Sequence, residues 1–137
     1  MASCFNDPEK ALVGIYELLV NAIEHGNLEI GYEKKSELLQ NGVWRQEVQQ
    51  RLSLPEYKSR TVEATVTRKE NGIYVVVKDE GRGFPWRQYL RVDAARATNL
   101  NGRGIAKANH LCFDKLSFNE IGNHVVGFVS TAPDLDW

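Results

Sequence analysis

Two spacings of apolar residues follow one another along this chain and divide it into helices and strands. Over residues 8–26, Leu12, Ile15, Tyr16, Leu19, Ala22 and Ile23 recur every three or four positions, the spacing that lines one face of a helix. The start of that helix is marked by a capping Asp7, by Pro8 at the first helical position and by Glu9 in the first turn. Gly26-Asn27 ends it. A second helical pattern covers 33–51, with Leu38, Leu39, Val43, Trp44, Val48 and Leu52 in a broken stripe. Asn41-Gly42 offers a point of division and Pro55 closes the stretch. The default use of such a stripe is core packing; a partner surface or a contact between two copies is the other.

The spacing then falls to two. Val62, Ala64 and Val66 alternate with polar residues, Asn71-Gly72 has the chemistry of a tight hairpin turn, and 73–78 reads as a partly buried strand. A glycine-bearing loop at 79–84 leads to a short helix at 86–92, an aperiodic segment at 93–101 and a helix beginning at 105–111. Two more strands, 115–119 and 124–130, flank a turn at Ile121-Gly122-Asn123. Helix, helix, hairpin, loop, helix, hairpin predicts an α+β fold: a two-layer α/β sandwich whose mixed, mostly antiparallel sheet carries its helices on one face.

Composition narrows the function classes. With 137 residues, 42% hydrophobic and 26% charged, the chain is one domain, 1–137, of ordinary globular make-up. Its longest apolar run is 73–77, against about 20 residues for a membrane-spanning helix, and the N-terminal residues lack a signal-peptide pattern; no membrane partner is expected. A net charge of −1 argues against direct nucleic-acid binding. Residues 7–37 are acidic, whereas 82–107 carry Arg82, Arg87, Arg91, Arg96, Arg103 and Lys107 against Asp93 alone, a segment suited to a small polyanion or simply a solvated surface. Cys4 and Cys112 fit no metal spacing and read as free thiols of a reducing cytoplasm.

Three short motifs carry possible chemistry. Glu17, Asn21 and His25 stand at i, i+4 and i+8 of the first helix, each step about 6 Å along one face. A carboxylate and an amide oxygen one turn apart are the hard donors that Mg²⁺ takes together with waters and phosphates. Asp79-Glu80-Gly81-Arg82-Gly83-Phe84 follows a strand, and its glycines let the backbone approach a flat group while Asp79 can accept from an amino group. Asn101-Gly102-Arg103-Gly104-Ile105 precedes a helix, where free N–H groups and the helix dipole favour an anion. Taken singly, these read first as a polar helix stripe, a turn and a helix start.

Taken together and in this order, Glu-x₃-Asn on a helix, D-x-G-x-G after a strand and G-x-G before a helix, the motifs resemble the GHKL ATP-binding superfamily over almost the whole chain. The resemblance implies ATP and Mg²⁺ as cofactors. It implies that Asn21 holds the metal and Asp79 accepts from the adenine amino group. Gly81 and Gly83 would let the backbone lie against the base, and Gly102, Arg103 and Gly104 would belong to a lid over the phosphates at about 85–100 and beyond. Arg103 and Lys107 are phosphate contacts by charge and position.

Position 17 points to a branch. Histidine kinases usually carry Asn there. A histidine acceptor needs no base, whereas a hydroxyl must lose its proton, so Glu17 suits transfer to a hydroxyl as general base. The last hairpin, 119–126, resembles that of the anti-sigma regulators. The resemblance therefore implies a protein serine kinase of the anti-sigma type, acting on a serine of a STAS anti-anti-sigma protein and partnered by a sigma factor. Those kinases have a base where Glu24 stands, which supports a nucleotide-dependent binding module without transfer as an alternative; a histidine-kinase catalytic domain is a third. The short segment before Glu17 implies a domain of a longer protein, with a receiver domain as a plausible upstream neighbour.

Overall fold

The computed structural model describes residue 5 and residues 7–90 and 104–131. Helix α1, Pro8–Val20, begins as its sequence dictates, with the Asp7 side chain accepting from the Lys10 N–H at 3.2 Å. It continues without a break into a wider π-helical segment, Asn21–Asn27. Helices α2 (Tyr32–Gln40), α3 (Trp44–Ser53) and the single turn α4 (Pro55–Lys58) follow. Strands β1 (Glu63–Lys69) and β2 (Gly72–Lys78) form a hairpin. A 3₁₀ turn spans Trp86–Tyr89, and α5 (Gly104–Lys107) runs into a second π-helical stretch, Ala108–Cys112. Strands β3 (Lys115–Phe118) and β4 (His124–Ser130) follow.

The four strands lie in the order β1-β2-β4-β3, and every pairing is antiparallel. The expected mixed sheet is thus wholly antiparallel among the described residues. Ile73, Val75, Val77, Val125 and Leu116 turn to one face, where α1 supplies Ala11, Ile15, Leu18 and Ala22 and the α5 segment supplies Ile105, Ala108 and Cys112. Each fully buried Val, Leu or Ile among them stabilises the fold by about 1.5–3 kcal/mol. The opposite face carries half-buried Tyr74, Val76, Val126 and Phe128 among exposed Thr65, Thr67 and Lys78.

The buried stripe of α1 is rotated from the one its large residues suggest. Leu12, Tyr16 and Ile23 are exposed, while Ala11 and Gly14 are buried. The reason is close approach. A Cβ on Gly14 would stand 2.7 Å from the Cys112 Cβ and 2.8 Å from the Phe113 ring, so the smallest face of the helix meets the neighbouring segment.

Helices α2 to α4 do not join this core. Leu28, Ile30 and Leu38 make a separate cluster with Trp44, Val48 and Tyr57, and Leu39, Val43 and Leu52 remain exposed. The expected core-packing helix is therefore a satellite of two helices divided at Asn41-Gly42. Pro55 closes α3 as expected, holding Leu54 extended after Ser53, and itself opens α4, since a missing N–H is harmless in a first turn. Lys35 to Glu24 at 2.7 Å, Arg51 to the Leu28 carbonyl at 2.8 Å and Arg60 to the Asn27 carbonyl at 2.8 Å tie the satellite and its link to the end of α1. No helix among the described residues is long and apolar enough to cross a membrane. Cys112 is a buried free thiol, and Cys4 lies outside the described residues.

Candidate functional site

The π-helical segment sets the geometry of the site. Leu28 donates to the carbonyl of Ile23, five residues back, at 3.0 Å. Such widened turns often accompany functional positions. Three buried polar side chains, Asn21, His25 and Asn27, project from this one segment. A buried polar group costs stability unless it is paired, and each of these is paired. The Asn21 Oδ1 accepts from the Tyr32 hydroxyl, the His25 Nδ1–H donates to the Ile30 carbonyl, and the Asn27 Oδ1 accepts from the Glu80 N–H at 2.6 Å. Desolvation pushes the His25 pKa down from 6.5 to about 4; the Ile30 carbonyl opposes the shift and Lys35 adds to it.

The D-x-G-x-G loop leaves β2 directly onto this segment. Asp79 donates its N–H to the Asn123 carbonyl at 2.9 Å, and its Oδ1 accepts from the Gly81 N–H at 2.9 Å. A Cβ on Gly26 would lie 2.4 Å from the Asp79 carboxyl carbon, and one on Gly81 would lie 2.1 Å from the Gly26 carbonyl oxygen. Helix and loop thus touch along Gly26, Asp79 and Gly81. Gly26, expected only to end the helix, is required there by contact. Burial raises the Asp79 pKa from 3.8 to about 6, against the opposing pull of the Gly81 N–H and of Arg60. Gly83 has φ +87° and packs on the Ile121 carbonyl, which also accepts from the Phe84 N–H at 2.8 Å, so the β3–β4 turn pins the loop.

One turn before Asn21, in the last turn of α1, the Glu17 carboxylate rests on Gly104, the second glycine of the third motif. Lys107 is exposed at the end of α5. Gly102, Arg103 and most of the expected lid lie outside the described residues, as do Arg91 and Arg96. The expected helix at 86–92 is the 3₁₀ turn Trp86–Tyr89. Arg82, within the basic segment, lies 3.3 Å from Glu29, and Arg87 stacks over the Trp86 ring at 4.3 Å.

A cleft of about 340 Å³ opens beside these motifs, lined by His25, Glu29, Ile30, Gly31, Tyr32, Glu33, Gly83, Phe84, Pro85 and Tyr89. Asp79 does not line it; its carboxylate lies on the Gly26 side of the loop. Tyr32 dominates the cleft, its ring stacked 3.7 Å from His25 and 4.3 Å from Tyr89. Glu29, at φ +54°, pairs with Arg60 at 3.2 Å as well as with Arg82. Tyr32, Tyr89 and Glu29 belong to none of the three motifs. Tyr32 falls just before the helical pattern expected over 33–51, and only the pairing across the chain shows what it touches.

No group of three or more His, Cys, Asp or Glu suited to a metal occurs among the described residues. Asn21 offers one side-chain amide oxygen, a hard donor of the type Mg²⁺ takes when phosphates and waters complete its shell. Searched against protein-family models, curated proteins and solved structures, the chain matches none.

Proposed function

We propose that this domain is an ATP- and Mg²⁺-dependent protein serine kinase of the anti-sigma type, built on a GHKL-like nucleotide fold. One observation carries the reading: three motifs distant in sequence converge on one helix. Glu17 meets Gly104, His25 lines the cleft, Asn21 is bonded to Tyr32 of the cleft wall, and Gly26 meets Asp79 and Gly81. A polar stripe, a turn and a helix start with no common purpose have no reason to meet in this way.

The residues take the following roles. Asp79 accepts from the adenine amino group, and Gly81 and Gly83 let the base lie close to the backbone. Asn21 offers its amide oxygen to Mg²⁺, which supplies neutralisation of phosphate charge when bound. Lys107, with Gly102 and Arg103, contacts phosphate. Glu17 accepts the proton of the serine hydroxyl on a STAS-domain partner as the serine oxygen bonds to the γ-phosphorus and ADP leaves. A sigma factor is the regulated partner.

Incubation with labelled ATP, Mg²⁺ and a STAS protein tests this. The expected result is alkali-labile, acid-stable label on a partner serine, lost in Glu17→Ala while ATP binding is kept. Undiminished transfer by that variant removes the base. A second reading is a nucleotide-dependent binding module without transfer, favoured by the acidic Glu24 beside Asn21 on the π-helical segment. Tight nucleotide binding without label is its signature. Acid-labile label marks the histidine-kinase alternative.

A further inference from the structure

We infer that Tyr32 is the residue that sets nucleotide affinity at this site, because its hydroxyl occupies the Asn21 amide oxygen and its ring fills the aromatic slot between His25 and Tyr89 in the cleft that Gly83 also lines. The inference rests on the nucleotide reading proposed above. The Tyr32 hydroxyl donates to the Asn21 Oδ1, the atom assigned to the metal. Its ring lies parallel to its neighbours within 21° of His25 and 27° of Tyr89, with centroid spacings of 3.7 and 4.3 Å. A gap filled by one flat ring between two others has the thickness of a single stacked base. Asn21 and His25 are each only 7% exposed, so a ligand reaching either must compete with what covers them.

The position of Tyr32 in the chain suits a competitor that can withdraw. It opens α2, and a side chain on the preceding Gly31 would meet only open space. The satellite that carries it has its own apolar cluster, Leu28, Ile30 and Leu38, and does not depend on the ring for its packing. Withdrawal of the side chain exposes an amide oxygen and a slot between His25 and Tyr89 without unfolding either core.

The test is ATP titration of the full chain by calorimetry, with Mg²⁺ and with EDTA, for the wild type, Tyr32→Ala and Tyr32→Phe, with thermal melting to verify the fold. Tyr32→Ala is expected to bind ATP about tenfold more tightly under both conditions, through loss of the stacked competitor. Tyr32→Phe keeps the ring and releases Asn21, and is expected to gain several-fold only when Mg²⁺ is present. Should Tyr32→Ala fail to fold, the Phe variant decides by its Mg²⁺-dependent gain. Equal affinity in all three proteins overturns the role of Tyr32 and leaves the nucleotide site standing. Weaker binding by Tyr32→Ala also overturns it, by making the ring a platform for the base. No binding by any of the three overturns the nucleotide reading and this inference with it.

Discussion

The Oε2 of Glu17 lies so close to the Cα of Gly104 that a methyl group there would stand 2.0 Å from it. The atom in the way is the end of a flexible side chain, so the carboxylate can swing aside while the backbone stays. Gly104→Ala is therefore expected to change stability by less than about 1 kcal/mol and to leave ATP affinity near that of the wild type. Transfer to a partner serine should fall by about tenfold to a hundredfold, because a base displaced by an ångström loses its alignment. Label transfer measured beside urea unfolding checks both halves. An unaltered transfer rate would separate Glu17 from the chemistry.

Gly83 presents the opposite case. Its φ of +87° disfavours any side chain, and a Cβ would stand 1.9 Å from the Ile121 carbonyl oxygen, a backbone atom already bonded to the Phe84 N–H. Gly83→Ala should cost about 3 kcal/mol or more. Gly42 also has positive φ, at +69°, but faces open space. Gly42→Ala should cost only about 1–2 kcal/mol, the conformational part alone. Urea midpoints of the two variants give the difference, which is the contribution of the contact between the glycine loop and the β3–β4 turn.

What could be read from the residues follows from how local the signal is. Strand β4 runs over the expected 124–130, because it is rich in β-branched and aromatic residues directly after a turn signal, and the turn before it is closed by Asn119, whose Oδ1 accepts from the Gly122, Asn123 and His124 N–H groups. The first hairpin was legible but displaced. Lys69 pairs with Gly72, so the turn is Glu70-Asn71 rather than Asn71-Gly72. Gly72 is needed for another reason: a Cβ would stand 2.4 Å from both the Val129 carbonyl oxygen and the Phe128 ring. The π-helical turn at Asn21 was invisible, since a regular helical spacing carries no mark of a five-residue hydrogen bond. The contacts of Gly26 with Asp79 and of Tyr32 with Asn21 join residues far apart in sequence, and no local pattern announces them.

Glu24 and Lys35 join the satellite to α1 across a 2.7 Å ion pair, with each side chain 17% exposed and Lys35 also 4.8 Å from the Trp44 ring centre. Partial burial makes this pair more than a surface contact. Lys35→Met leaves the Glu24 carboxylate half-desolvated and should cost about 2 kcal/mol. Adding Glu24→Gln should restore part of that loss, since the stranded charge is gone. A double-mutant cycle by urea unfolding measures the coupling, and additive losses would show that this ion pair contributes nothing to holding α2 against α1.

Asp79 and His25 respond to pH in opposite senses over the same range. The folded state holds the Asp79 proton up to about pH 6, whereas the unfolded carboxyl releases it near 3.8. Its contribution to stability is therefore full below about pH 4 and is lost as pH climbs toward 6. His25 takes up its proton near 6.5 when unfolded but only near about 4 when folded, so its contribution is lost as pH falls between those values. In the wild type the two slopes oppose each other from about pH 4 to 6. Asp79→Asn removes one of them, and that variant should be more stable than the wild type near neutrality and lose stability more steeply on acidification. His25→Gln removes the other and should reverse the sign of the change over the same interval. Saturating Mg-ATP should act on the wild type as Asp79→Asn does, because an adenine amino group donating to the carboxylate favours its ionised form and abolishes its proton uptake. Urea midpoints at about pH 4.5, 5.5 and 6.5, with and without nucleotide, resolve these slopes. A nucleotide that stabilises the protein equally at all three values would place the amino group away from Asp79.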